Sequence, residues 1–215
     1  MSTARAGAVA GSLSGFASCV VLLVCELLHI GNTITDDGPG FSVTACIGYL
    51  IAGSLFGVAI GPVVSRKSGL TKYDRALFAI MSGIGYLAAR YVAVAVLFKQ
   101  LQWFGDASPP GWARDLFCFS SGIAAGFVGA GFIWSAFVAC GQRHFLSVAF
   151  ALRAVVIPSV LGGILLEVAV ILDDPAADDW PNGKLVSLLI HIPWQAYVGY
   201  TLCQALKLAD ESPAD

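Results

Sequence analysis

Ionisable and amide side chains lie within stretches of this 215-residue chain that are otherwise apolar. They are Glu26, His29, Arg90, Glu167, His191 and Gln195. A charged side chain inside a membrane costs at least about 2.5–3.5 kcal/mol, so each one is a candidate for function unless it finds a partner or water. Carboxylate and imidazole groups also exchange protons with a bound solute. These residues therefore predict a polar pocket that binds an ion or a small polar solute.

The elements that must position these residues are six long apolar stretches. They cover about residues 8–30, 41–64, 76–98, 116–139, 147–172 and 185–206. Each is long enough to cross a hydrocarbon core about 30 Å thick. Hydrophobic residues make up 57% of the chain and charged residues 12%, whereas soluble domains average about 25% charged residues.

Backbone groups in lipid must be hydrogen-bonded within their own segment, so the six crossings are expected to be helices. The predicted fold class is all-α: a polytopic integral membrane bundle of six transmembrane helices, forming a single domain over residues 1–215. Since no hydrophilic stretch is long enough for a soluble catalytic domain, any site must be built inside the bundle.

The distribution of lysine and arginine predicts the orientation. The segments on one side contain Arg5, Arg66, Lys67, Lys72, Arg75, Arg143 and Lys207. The loops on the other side contain only Lys99, Arg114 and Lys184. Because basic residues favour the cytoplasmic side, both termini are expected there, and we expect a bacterial cytoplasmic (inner) membrane location. In that orientation the candidate pocket lies toward the outer leaflet.

Glycines recur every fourth residue on three of the predicted helices. They are Gly7, Gly11 and Gly15, then Gly53, Gly57 and Gly61, then Gly122 and Gly126. Small residues at this spacing allow helix backbones to approach closely, so these faces are predicted to be packing surfaces. Pro158 and Pro193 lie inside the fifth and sixth stretches and predict kinks.

A structural role is the first alternative for the ionisable residues. An ion pair of Arg90 with Glu26 or Glu167 would lock the bundle without binding anything, and the chain would then be a structural subunit of a membrane complex. The expected partners are membrane lipids, other membrane subunits or a second copy of the chain, and a small ion or polar solute. The net charge of −2 gives no reason to expect nucleic acid.

An enzymatic role is the second alternative. Residues 121–129 read SGIAAGFVG, and His191 lies in the last stretch. This pattern resembles the serine segment of rhomboid intramembrane proteases, where a histidine on the sixth helix is the base. The resemblance implies a serine protease with Ser121 as nucleophile and His191 as base. It covers only this segment and one histidine, and it departs from the family at Phe119 and Pro193. A transporter, channel or solute-sensing subunit is favoured over an enzyme.

A cofactor is the third alternative. His29 and His191 lie on different helices and could be the two axial ligands of a haem b, in which case the chain would be a membrane anchor subunit. Cys25, Glu26 and His29 have the helical spacing of metal ligands, but the second Glu-x-x-His pair of a di-iron bundle is missing from the sequence. The sequence therefore favours neither a cofactor nor a metal.

Overall fold

The computed structural model describes residues 2–28, 32–35, 38–41, 43–105, 110–140, 148–172 and 191–211. In these ranges the chain forms α1 (Thr3–Leu27), β1 (Asn32–Thr35), β2 (Gly38–Phe41), α2 (Val43–Ser68), α3 (Lys72–Gln102), α4 (Gly111–Ala139), α5 (Val148–Ala151), a π-helical segment (Leu152–Val156), α6 (Ile157–Leu172) and α7 (His191–Glu211). The described chain is thus a helical bundle with one short hairpin.

Five of the described helical stretches are long and apolar enough to cross a membrane. They correspond to the first five predicted crossings, with the stretch from Val148 counted as one helix. Residues 185–190, at the start of the sixth predicted crossing, lie outside the described residues. The helical bundle is confirmed, whereas the count of six crossings and the orientation of the termini stay predictions.

A short hairpin, which was not predicted, lies between α1 and α2. β1 and β2 pair antiparallel, with Asn32 opposite Phe41 and Thr35 opposite Gly38. Pro39 and its flanking glycines disfavour a regular sheet, which is why no strand was predicted from the sequence. The hairpin is an addition to the helical bundle and does not change its all-α class.

The surface of the bundle is apolar and its interior carries polar groups. On α1 an exposed stripe at helical spacing consists of Val9, Leu13, Phe16, Val20 and Val24, and Phe16 is 61% exposed. Water would penalise such a surface, whereas lipid chains do not. The opposite face of α1 buries serine hydroxyls, described below. An apolar surface around buried polar groups is the arrangement expected of a helical bundle embedded in lipid.

Backbone contacts at the glycine faces hold the helices together. On α1, a Cβ added at Gly15 would lie 2.7 Å from the Cα of Ile192 on α7, and one added at Gly7 or Gly11 would also meet the α7 backbone. Gly53 and Gly57 pack in the same way against α3. The predicted packing surfaces are confirmed at these positions.

α4 packs against α6 through a similar face of glycines. A Cβ added at Gly122 would lie 2.7 Å from the Gly162 carbonyl oxygen, and one at Gly126 would lie 2.7 Å from the Ser159 Cα. Further contacts join α1 to α2 and α3 to α4, so the neighbours run α7, α1, α2, α3, α4, α6 around the bundle.

The kink predicted at Pro158 takes the form of a π-helical segment. The Ile157 amide donates to the Leu152 carbonyl, five residues earlier, and Pro158 then occupies the first turn of α6. A proline in the first turn needs no amide hydrogen, so the wide turn before it absorbs the misfit. Pro193 likewise lies in the first described turn of α7.

One end of the bundle is closed by a layer of aromatic side chains. The Phe78 ring lies 4.8 Å from the Phe137 ring and 6.3 Å from the Phe56 ring, and all three side chains are at most 2% exposed. Leu202 and Leu206 of α7 belong to the same cluster. In the predicted orientation this layer lies in the cytoplasmic half.

Candidate functional site

A cavity of about 100 Å³ lies between α3, α4, α6 and α7. We call it the Arg90 cavity. It is lined by Tyr86, Ala89, Arg90, Ala93, Gly122, Ala125, Gly126, Gly162, Leu165, Leu166, His191 and Trp194. The glycines come from the packing face of α4 and α6, and because they lack side chains they leave this space beside the polar residues.

Arg90 and Tyr86 face the cavity together because they are one helical turn apart on α3. The guanidinium carbon of Arg90 also lies 5.3 Å from the centre of the Tyr49 ring on α2, a cation–π distance. Tyr49 is buried and its ring lies 6.2 Å from that of Tyr86. The Tyr49 ring thus holds the guanidinium at the cavity wall.

His191 meets Tyr86 directly across the bundle. The Tyr86 hydroxyl and the His191 Nε2 are 2.8 Å apart, a hydrogen bond in which either group is the donor, depending on the histidine tautomer. The rings meet edge-on with centroids 5.3 Å apart. This contact positions the imidazole from α7 beside the phenol from α3.

A second, smaller cavity continues from the first. It measures about 30 Å³, is lined partly by Ser82 and Gln195, and shares Tyr86 and Trp194 with the Arg90 cavity. The Trp194 indole donates a 3.0 Å hydrogen bond to the Pro158 carbonyl. Trp194 therefore separates the two cavities and ties α7 to α6.

Gln195 belongs to a buried polar network. Its Oε1 accepts a 2.6 Å hydrogen bond from Ser14, and its Nε2 donates a 3.2 Å bond to Ser18. The Ser18 hydroxyl lies 2.7 Å from the Ala52 carbonyl of α2. Gln195 and both serines are at most 2% exposed. The Gln195 amide thus joins α7 to α1, and the Ser18 hydroxyl extends the network to α2.

The predicted site residues are only partly brought together. Arg90 and His191 line one cavity, and Gln195 lines the adjoining one. Glu167 is half-buried on α6 but is not among the residues that line the Arg90 cavity. His29 and the side chain of Glu26 lie outside the described part of the chain. The participation of both glutamates and His29 stays a prediction.

Several residues of this region were not predicted from the sequence. Tyr49, Tyr86 and Trp194 were missed because they carry no formal charge and because aromatic residues are common in membrane helices. The spacing of Tyr86 one turn before Arg90 is the signal that identifies it. Ser14 and Ser18 alternate with the glycines of α1 and were hidden within that small-residue pattern.

Comparisons with known proteins identify no family for this chain. A scan against protein-family models, a search of curated proteins and a search of solved structures each found no match to this chain. The rhomboid resemblance can therefore be tested only by the positions of Ser121 and His191 in the structure.

That geometry does not form a catalytic pair. The Ser121 hydroxyl is 1% exposed and donates to the Cys118 carbonyl at 3.3 Å, while the His191 Nε2 meets Tyr86. Ser121 is also absent from the lining of the cavity that contains His191. Among the described residues, the serine and the histidine that the resemblance paired are thus not in hydrogen-bond contact.

The haem alternative is tested by the space beside His191. The Arg90 cavity is smaller than the range of about 300–1,000 Å³ typical of sites for drug-sized ligands, and a porphyrin is at least that large. The residues around His191 therefore do not fit a haem. As for metals, no group of three His, Cys, Asp or Glu side chains suited to an ion occurs within the described ranges, and the Cys25–His29 segment lies partly outside them.

Proposed function

We propose that this protein is a multi-pass membrane protein that binds a small polar solute in the Arg90 cavity, as a transporter or as a solute-sensing subunit. The observation that carries this proposal is the convergence of Arg90, Tyr86 and His191 from α3 and α7 on one cavity inside an apolar bundle. Polar groups at such a depth are costly, so their presence beside a cavity favours a role in binding.

The purely structural alternative explains less. An arginine that only locked the bundle would be packed on all sides, whereas Arg90 borders a cavity large enough for several water-sized groups. Small residues of three helices leave that cavity open where larger residues would fill it.

The aromatic layer favours a carrier or sensor over an open pore. The contact of Phe78 with Phe137 lies between the small cavity beside Gln195 and the opposite end of the bundle. A solute in the Arg90 cavity would therefore be accessible from one side. With both termini cytoplasmic, as the basic residues predict, that side is the exterior.

The test fills the cavity without changing its charge. Ala93 lines the Arg90 cavity, and Ala95 on the same helix does not. Small anionic, neutral and cationic solutes are screened by their effect on the thermal unfolding of the purified protein in detergent. At a concentration about 100 times the Kd, a bound solute stabilises the folded state by about 2.7 kcal/mol.

At least one solute class should raise the Tm of the wild type and of Ala95→Leu but not that of Ala93→Leu. Uptake of the same solute into proteoliposomes distinguishes a transporter from a sensor. If no solute produces a Tm shift that Ala93→Leu abolishes, the cavity is not a binding site and the proposal fails.

A further inference from the structure

A groove on the surface of the bundle runs between α4 and the helical stretch from Val148 to Val156. We call it the α4 groove. Its volume is about 830 Å³, and among the described residues none lines both this groove and the Arg90 cavity. Phe127, Leu152 and Val156 line it and are exposed, so the groove opens to the surroundings of the bundle. It is large enough for a ligand, since such sites typically measure about 300–1,000 Å³.

The groove begins where the close contact between α4 and α6 ends. A Cβ added at Gly126 would lie 2.7 Å from the Ser159 Cα. One added at Gly131, which is farther along α4 and lines the groove, would meet no atom within 4 Å. The π-helical segment Leu152–Val156 forms the facing wall of the groove. The groove is therefore closed at one end by the contact of two helices and open along its side.

The length of the groove matches one leaflet of a bilayer. Its lining extends from Phe127 to Ser135 on α4 and from Val148 to Val156 on the facing stretch, each about 12 Å at 1.5 Å per residue. One leaflet of a hydrocarbon core about 30 Å thick measures about 15 Å. Because the groove ends inside the membrane, where α4 touches α6, it fits an acyl chain. A membrane-spanning helix of a partner would instead continue past that point.

The polar residues of the groove lie at the end nearer the membrane surface. Ser135 and Trp134 line the groove close to the end of α4, whereas Phe127 and Val128 line its inner end. The indole ring is well suited to headgroup depth, where one edge is polar and the rest is apolar. The groove is thus polar where a lipid headgroup lies and apolar where its acyl chain lies.

One arginine lies beside the groove. Arg153 is exposed on the π-helical segment, next to Leu152, which lines the groove. It lies five residues after Val148, about 7.5 Å along the helix, and side chains on a helix point toward its N-terminal end. Because a charge in hydrocarbon is costly, we expect the long side chain to extend to headgroup level at the Val148 end. A guanidinium there binds phosphate oxygens through paired N–H donors.

From the length, the polarity and the charge we propose that the α4 groove binds an acyl chain of an anionic glycerophospholipid, whose phosphate is held by Arg153. In the orientation that the basic residues predict, this lipid belongs to the cytoplasmic leaflet. A zwitterionic lipid binds less well, because its headgroup also carries a positive charge that the arginine repels. One arginine near the membrane surface gives a preference of about fivefold. This inference is independent of solute binding in the Arg90 cavity.

The experiment is native mass spectrometry of the detergent-solubilised full chain. The chain is titrated with phosphatidylglycerol, which is anionic, or with phosphatidylcholine that has the same acyl chains. The first phosphatidylglycerol is expected to bind about five times more tightly than the first phosphatidylcholine. Glycerol 3-phosphate has the phosphate but no acyl chain, and it is expected not to bind.

Charge variants test the role of the arginine. Arg153→Gln should remove the preference, so that the two lipids bind with equal affinity, and Arg153→Lys should retain most of it. Arg66→Gln is the matched control, because Arg66 is also exposed near the end of its helix and does not line the groove. It should retain the full preference.

Variants that fill the groove test its position. Gly131→Phe and Ala151→Phe introduce a ring from the two facing walls. Each should weaken the binding of the first phosphatidylglycerol by at least about tenfold, the loss expected when about two methylene groups leave their apolar contact. Ala76→Phe adds the same ring at an exposed position of α3 outside the groove and should not weaken it.

Three results would overturn the inference. The first is equal affinity of the wild-type chain for the two lipids, or binding of glycerol 3-phosphate as tight as that of phosphatidylglycerol. The second is a preference that Arg66→Gln loses as fully as Arg153→Gln. The third is undiminished lipid binding in a folded Gly131→Phe or Ala151→Phe chain, which would place the lipid elsewhere. If one filling variant does not fold, the other variant and the wild-type comparison still decide.

Discussion

Two glycines of α4 should respond in opposite directions to the same added methyl group. At Gly122 a Cβ would lie 2.7 Å from the Gly162 carbonyl oxygen and 2.8 Å from the Gly163 Cα, both rigid backbone atoms of α6. At Gly131 it would meet no atom within 4 Å. Both positions are inside the same helix, so they share the same change in helix propensity.

The magnitude follows from the contact. Restoring ordinary contact at Gly122→Ala needs α4 and α6 to separate by about 0.7 Å, a gap that forfeits a quarter to a half of each dispersion contact. Overpacking costs typically about 1–3 kcal/mol, and replacing glycine in a helix returns about 1 kcal/mol. We expect Gly122→Ala to lower the free energy of unfolding by about 1 kcal/mol, and by about 2 kcal/mol at most, and Gly131→Ala to raise it by up to about 1 kcal/mol.

The assay is reversible unfolding in mixed micelles with increasing dodecyl sulfate, followed by circular dichroism. The two variants are compared by the difference between their free energies of unfolding, because the change in helix propensity is the same in both and cancels. A free energy of unfolding that changes by the same amount in Gly122→Ala and Gly131→Ala would refute the packing of α4 against α6 described above.

Three further predictions concern polar contacts. Gln195→Ala should lower the free energy of unfolding by about 2–4 kcal/mol in the same assay, since it leaves a cavity and removes two buried hydrogen bonds to serines of α1, whereas the exposed Gln102→Ala should change it by less than about 0.5 kcal/mol. Trp194→Phe keeps an aromatic ring but loses the hydrogen bond to α6, so a Tm decrease corresponding to about 1 kcal/mol is expected; an unchanged Tm would contradict that contact. Thr71→Ala should cost about 1 kcal/mol by removing the capping box at the start of α3, and Thr71→Ser should restore it; equal unfolding curves for the two variants would argue against the cap.

The helices and their packing faces could be predicted from the sequence because both depend on local pattern. A run of apolar residues long enough to cross lipid specifies a helix whatever its neighbours are. Glycines every fourth residue specify a close backbone contact but not its partner, so the pairing of α1 with α7 required three-dimensional information. The hairpin after α1 was missed because its glycines and proline are typical of turns.

Of the candidate site, only the depth of its residues in the membrane could be predicted from the sequence. The sequence placed Arg90 and His191 in the same half of the bundle, but the rotation of each helix about its own axis has no signature in their spacing. That rotation decides which polar residues face each other. It brings His191 to Tyr86 rather than to Ser121, and it leaves Glu167 away from the Arg90 cavity.

The arrangement of tight and loose interfaces indicates where such a bundle can open. Glycine faces fix α1 against α7, α2 against α3 and α4 against α6, through backbone atoms that no side-chain rotation can release. In the described residues α6 and α7 instead meet beside the Arg90 cavity, where the Trp194 indole bonds to the Pro158 carbonyl. Within the described ranges, separating α6 from α7 therefore breaks one hydrogen bond and little packing, whereas separating any of the glycine-faced pairs disrupts a whole interface. If a solute reaches Arg90 by movement of helices, the boundary between α6 and α7 is the path that costs the least free energy.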